Sequence, residues 1–268
     1  MNATHVKNKV TYLADEFKTD KQGGYSGYVD GNYFVAEGLP LYTYYIRDYA
    51  GVGENGESMW WKDITEQKEI GTDADGNKQY ETVVVGREKT SVYTEGTRYL
   101  QEDTMPDLYG GFSTSLSFYG VDMSIAFTYQ LGGKVYDSGY ANFMASPYGS
   151  FVGSNFHKDL LNAWTPENTT SDIPRLQYGD QYTGSMSSRF LTDASYLNIQ
   201  NINVGYTLPS SFTQKFGVSS LRLYLACDNV TYWSKRRGLD PRYSFSGSSN
   251  FANYSPIRTI SGGVNIVF

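Results

Sequence analysis

The sequence predicts an all-β chain, an antiparallel transmembrane β-barrel with long loops on one side and one short loop helix. Three observations carry that prediction. Paired segments alternate apolar and polar residues over lengths that would span a bilayer. The connections between them run short, long, short, long. The last segment, "SGGVNIVF", keeps its alternation to the final residue, Phe268, where most chains fray into a polar tail.

Composition sets the frame. In 268 residues there are 25 Tyr and 28 Gly, and only 19% of residues are charged. Tyr and Gly at that level suit strands and turns better than helices. A net charge of −6 offers no basic patch, so nucleic acid is not expected as a partner. The single cysteine, Cys227, excludes an internal disulfide and a cysteine-rich zinc site. No run approaches the ~18–20 apolar residues of a membrane helix, yet barrel strands hide behind alternating polarity and escape that test. The opening "MNATHVKNKV" has no apolar core of the signal-peptide kind.

From the N-terminus, "LPLYTYYIRDYAGV", "ESMWWKDI" and "QYETVVVGREKTSVY" read as strands, the last two joined through the turn-rich "TDADGNKQ". The clearest hairpin follows in "LYGGFSTSLSFYGVDMSIAFTYQLGG". Phe112, Leu116 and Phe118 share one face of its first arm with Thr114. Val121, Met123, Ile125, Phe127, Tyr129 and Leu131 are in phase on the second, and Gly120 marks a very short turn. The opposing face is Ser, Thr, Ala and Gln, small and mostly uncharged, as a barrel interior prefers. A water-facing sheet of a soluble protein carries more Lys and Glu.

A long irregular stretch then contains "NFHKDLLNAW", predicted as a helix from Ser154 or Asn155 to just before Thr165–Pro166. Strands are predicted in "SSRFLTDASYLNIQNINVGYTLP" and "SSLRLYLACDNV", separated by a modest turn. The phase slips between Ile199 and Ile202, which predicts a bulge near Gln200 and Asn201. A second long loop, 231–255, leads to the terminal strand, with Ile260, Val264, Ile266 and Phe268 on one face. If the short turns are periplasmic and the long loops extracellular, Phe268 lies at the periplasmic rim.

Chemical motifs are sparse. Asp73, Asp75 and Asn77 resemble a calcium loop, but the position needing a bidentate Glu is Val84, so the stretch reads as a turn. His5 and His157 are the only histidines, and no G-x-S-x-G elbow accompanies them. No catalytic residue, metal ligand or cofactor is expected, and the chain does not read as an enzyme. Trp60 and Trp61, with loop tyrosines, are candidates to stack on sugar rings, although barrel aromatics also anchor at membrane interfaces. Lys235, Arg236 and Arg237 read as a solvated run. Cys227 shares phase with Leu221, Leu223 and Leu225 and reads as an inert lipid-facing thiol.

Several stretches resemble, in order, the C-terminal part of SusC/RagA family TonB-linked outer-membrane transporters. They are "EGLPLYTYYIRDYAGV", "TRYLQEDTMPDLYGGFSTSLSFYGVDMSIAFTYQLGGKVYDSGY", "NFHKDLLNAWTPENTTSDIPRLQ", "SSRFLTDASYLNIQNINVGYTLP", "GLDPRYS" and "SGGVNIVF". The resemblance covers nearly all of residues 1–268. It implies a plugged barrel of about 22 strands in the bacterial outer membrane that imports oligosaccharides or peptides. It also implies a SusD-like surface lipoprotein as lid, TonB acting on the plug, and the barrel assembly machinery reading the terminal Phe268. Residues 1–268 resemble only the C-terminal portion, without plug or first barrel half, and hold about eight to ten strands if each arm is a typical barrel strand. Two other readings compete: a self-contained outer-membrane pore or adhesin, and a soluble glycan-binding β-protein that buries the Val121–Leu131 face against a second sheet.

Overall fold

The computed structural model describes residues 1–72, 77–149, 152–243, 248–249 and 256–268. These form two compact units. One comprises Met1–Asn8, Asp103–Tyr136 and Thr192–Phe268, the other Lys9–Glu102 and Asp137–Leu191.

The first unit is built on a six-stranded antiparallel sheet. Its strands are Asn2–His5, Leu108–Phe118, Val121–Leu131, Tyr196–Thr207, Ser220–Ser234 and Thr259–Val267, side by side in chain order. The four central strands have 11, 11, 12 and 15 residues, enough for a tilted bilayer crossing of ~9–11 residues. The tightest link is Tyr119–Gly120, with φ of 47° and 81°. Two successive positive φ values make the turn whose twist matches that of the flanking strands. Val121 pairs with Tyr206 and Ser220 with Val267, so this turn, the 208–219 connection and Phe268 all lie at one end of the sheet. The connections 6–107, 132–195 and 235–258 leave from the other end.

Register carries the two faces from strand to strand. Thr114 stands opposite Ile125, Ile125 opposite Ile202, and Ile202 opposite Cys227, which meets Ile260. A single row therefore keeps to the apolar side across five strands, as the two-residue pleat demands. The bulge falls where the phase slip predicts. Phe127 pairs with Ile199 and Ala126 with Asn201, leaving Gln200 as the extra residue. On the next strand Asn229 takes φ of 53° beside the same irregularity.

The apolar face is not covered. Leu116 is 64% exposed, Leu225 58% and Ile260 67%, and Val121 and Ile266 also face outward. The buried apolar cluster of this unit is small, Val135, Ala194 and Leu239, at the long-connection end. Among the described residues of this unit, no second sheet covers the Val121–Leu131 face, as a soluble sandwich would require.

The second unit holds a five-stranded sheet of Asp20–Gln22, Tyr25–Asp30, Tyr33–Ala36, Thr43–Arg47 and Arg98–Asp103, whose core is Phe34, Ala36, Leu39 and Tyr45 with Leu100 against it. A three-stranded sheet, Tyr49–Val52, Ser58–Thr72 and Lys78–Thr90, completes it.

Some expected elements differ. The predicted strand over 39–52 breaks at Asp48, whose carboxylate accepts the Ser188 hydroxyl at 2.6 Å while Ser188 Oγ accepts the Tyr49 N–H. The two halves join separate sheets. The loop helix is shorter than predicted, a 3₁₀ segment Lys158–Asn162 that starts where His157 Nδ1 accepts the Asp159 N–H. Trp164 then pairs its N–H with the Ile173 carbonyl, which ends any helical path. A true helical turn appears instead at Ser138–Phe143, capped by Asp137. Among the described residues six strands form the barrel-like sheet, and the 58–90 hairpin belongs to the second unit.

Candidate functional site

The polar face of the six-stranded sheet carries one charged feature made possible by glycine. Arg222 Nε donates to Asp122 at 2.9 Å and its Nη2 donates to the second carboxylate oxygen. The two residues lie on strands separated by Tyr196–Thr207, and Gly205, opposite Asp122, is the residue they must cross. A Cβ at Gly205 would collide with the guanidinium. Gly263 serves Tyr224 in the same way, for the tyrosine ring lies over it. Small residues on this face thus clear the way for a planar fork and a ring. Gly205→Val is expected to break the bidentate pair and lower the unfolding midpoint slightly, since both charges are partly solvated. Urea unfolding in micelles measures this, and an unchanged midpoint would contradict it.

At the opposite end, the "GLDPR" stretch is pinned. Arg242 pairs with Asp240 through both nitrogen–oxygen contacts, at 2.7 and 2.6 Å, and donates to Asn198 Oδ1 at 2.9 Å. Asn198 passes the connection on to Thr128 Oγ1 at 3.0 Å, and the guanidinium lies 4.5 Å from the Tyr232 ring centroid. Asp240 and Arg242 side chains are each 9% exposed.

In the second unit a cleft of about 440 Å³ opens beside Ser58, Trp60, Val92 and the 179–183 loop. Its aromatic floor is layered. The Tyr182 ring lies on Tyr93 at 4.9 Å and 13°, Trp60 meets Tyr93 edge-on at 5.3 Å, and the Arg47 guanidinium is 4.3 Å from the Tyr93 centroid. Tyr93 Oη donates to the Met186 carbonyl at 3.0 Å. Nearby, burial raises the Tyr49 hydroxyl above its ordinary pKa, against the opposing charge of Arg189. Tyr99 is pushed up to about 12, first by burial and then by the hydrogen bond its hydroxyl donates to the Asp63 carboxylate.

The residues singled out from sequence are spread over both units. Phe268 is 86% exposed, one residue beyond Val267, at the short-turn end. Trp60 is a wall of the cleft with only 4% of its surface exposed; its neighbour Trp61 is half-buried beneath Lys89, 5.5 Å from its ring. His157 packs edge-on against Tyr140, and His5 Nδ1 lies 2.6 Å from the Asp107 carbonyl. Cys227 stands on the apolar face between Ile202 and Ile260. Asp73, Asp75 and Gly76 lie outside the described residues. Sequence reasoning singled out neither Tyr182 nor the Asp240–Arg242 pair. A tyrosine among 25 carries no mark of its own, and the pair's only signal was the "GLDPR" stretch itself.

No family model matches the chain. It is 27% identical over 249 residues to TonB-dependent receptor P3 of Formosa agariphila, an alignment covering 87% of this chain and 23% of that protein. TonB-dependent receptor P26 of the same bacterium is 32% identical over 176 residues, covering 61% of this chain and 17% of that one. TonB-dependent receptor SusC of Bacteroides thetaiotaomicron is 27% identical over 168 residues, covering 62% and 16%. The fold superposes on the RagAB peptide importer in its closed-closed state with a TM-score of 0.66 at 26% identity, over 89% of this chain and 24% of that one. The open-open state gives 0.69 over 97% and 25%, a likeness of fold at 22% identity. The chain spans no more than a quarter of the length of each of these proteins.

Proposed function

We propose that this chain is the C-terminal barrel portion of an outer-membrane nutrient importer of the SusC/RagA type, the TonB-dependent receptors it is similar to in sequence and fold. The observation that carries the proposal is the uncovered apolar face. Apolar side chains run across five strands and stay exposed or half-exposed, while mostly small polar residues and one ion pair occupy the other side. In lipid that face is satisfied by acyl chains, and the polar face lines a lumen. The edges at Asn2–His5 and Thr259–Val267 would be closed by the rest of a barrel, since unpaired strand backbone in lipid costs several kcal/mol per group.

In this reading the long connections are extracellular and meet an oligosaccharide or peptide substrate and a SusD-like surface lipoprotein. TonB acts on a plug outside residues 1–268. The chain does not transport by itself and carries no enzymatic activity. Folding of the purified chain into detergent micelles, with the central strands protected from protease, is the direct test; a chain that stays folded and monomeric in water without detergent would refute it.

Phe268 has an assembly role in the same proposal. Its ring is exposed at the sheet end that would face the periplasm, available to the barrel assembly machinery. Deleting Phe268 from a full-length receptor that carries this segment is expected to lower surface abundance. Quantitative surface labelling measures the loss, and equal labelling of parent and variant would remove the role.

A further inference from the structure

We propose that the cleft beside Tyr182 binds a neutral sugar unit of an oligosaccharide, an inference that takes its setting from the import barrel proposed above. The first support is the ring itself. Tyr182 lies flat on Tyr93, yet it is 40% exposed at the cleft. A tyrosine held this way offers a flat apolar patch with a polar tip, the surface on which the C–H face of a pyranose packs.

The second support is that the platform is already ordered. Arg175 pairs with Asp180 at 3.1 Å, the Ser146 N–H donates to Thr183 Oγ1 at 2.6 Å, and Arg189 donates to the Thr183 carbonyl at 3.0 Å. These contacts bracket Tyr182 on both sides in sequence. A ligand arriving there has little loop entropy to remove, which is what permits useful affinity from a small contact area.

The third support is the polar lining. Glu57, Ser58, Asp180 and Gln181 offer carboxylate, hydroxyl and amide groups, and none of the described lining residues is a lysine or arginine. Carboxylates and amides hydrogen-bond sugar hydroxyls readily. A sulfated or uronic chain would instead bring its negative charge against Glu57 and Asp180. Both carboxylates are also engaged within the protein. Asp180 holds Arg175, and Glu57 Oε2 accepts the Asn55 N–H at 3.0 Å. That lowers their draw on a basic side chain and favours an uncharged ligand over a cationic peptide. The volume falls within the usual range of small-ligand clefts.

The experiment titrates the whole chain in detergent micelles with a panel of neutral oligosaccharides (α-glucan, β-glucan, mannan and xylan hexamers), a sulfated glucan hexamer and a lysine-rich pentapeptide, read by saturation-transfer NMR. At least one neutral hexamer is expected to bind. Tyr182→Ala should weaken that binding by about tenfold, and Tyr182→Phe, which keeps the ring, should stay within about threefold of the parent. If the alanine variant loses its near-ultraviolet circular dichroism, Tyr182→Leu replaces it, filling the space without a ring. The proposal is overturned if no neutral hexamer binds, if binding survives loss of the ring, or if the sulfated glucan or the peptide binds more tightly. A chain that enters micelles but binds no neutral hexamer overturns the cleft alone. A chain that binds through Tyr182 but remains soluble without detergent overturns the barrel alone.

Discussion

Ile125→Arg is expected to destabilise the micelle-bound form by about 2–4 kcal/mol, the cost of a guanidinium on the lipid face near the bilayer midplane. Ile125 is near the centre of Val121–Leu131, and its row continues through Thr114 on one side and Ile202 on the other. An arginine there can reach water only by running its side chain along several residues of apolar surface. The matched control is Ser124→Arg, one position earlier, which points to the polar face and should cost far less. Denaturant unfolding in micelles reads both. Equal stability of the two variants would mean that the faces do not differ in solvent, and the membrane assignment would be lost.

Asp240→Ala is expected to cost about 3 kcal/mol, because it removes the carboxylate that pairs bidentately with the largely buried Arg242 guanidinium. Asn198 would still accept one hydrogen bond, and the Tyr232 ring would remain beside the charge. The loss should spread to the connection it anchors. Lys235 and Arg237 are exposed just ahead of the pair, so limited trypsin digestion should cut there sooner in the variant. The double variant Asp240→Ala/Arg242→Met removes both charges and is expected to recover much of the loss. If Asp240→Ala leaves both the unfolding midpoint and the digestion rate unchanged, the pair is not a clamp.

The two faces of the barrel-like sheet were legible in the sequence down to individual residues. The apolar row through Ile125, the turn at Gly120 and the extra residue at Gln200 all follow from a two-residue period and its single slip. That information is local, since each strand residue points opposite to its neighbour whatever the strand pairs with. Two of the pairings, across Tyr119–Gly120 and across 208–219, follow from short links, whereas the strands joined through 6–107, 132–195 and 235–258 find their neighbours only in the tertiary structure.

The candidate cleft was less legible. Trp60 stands out in sequence as half of a tryptophan pair, yet tertiary packing covers it with Tyr93 and presents Tyr182 instead, 122 residues further on. Asp48 reads as the interior of a strand until Ser188, 140 residues away, claims its carboxylate. Arg222 and Asp122, 100 residues apart, look like isolated charges in two alternating runs until register brings them across Gly205. By itself the sequence determined which side of each strand is apolar, where the pleat slips and where the sheet turns, because these depend on near neighbours. Only the tertiary structure decided which aromatic ring meets the cleft, which charges pair and how short the loop helix is. Those outcomes are settled between segments far apart in the chain, where no periodic pattern marks the partner in advance.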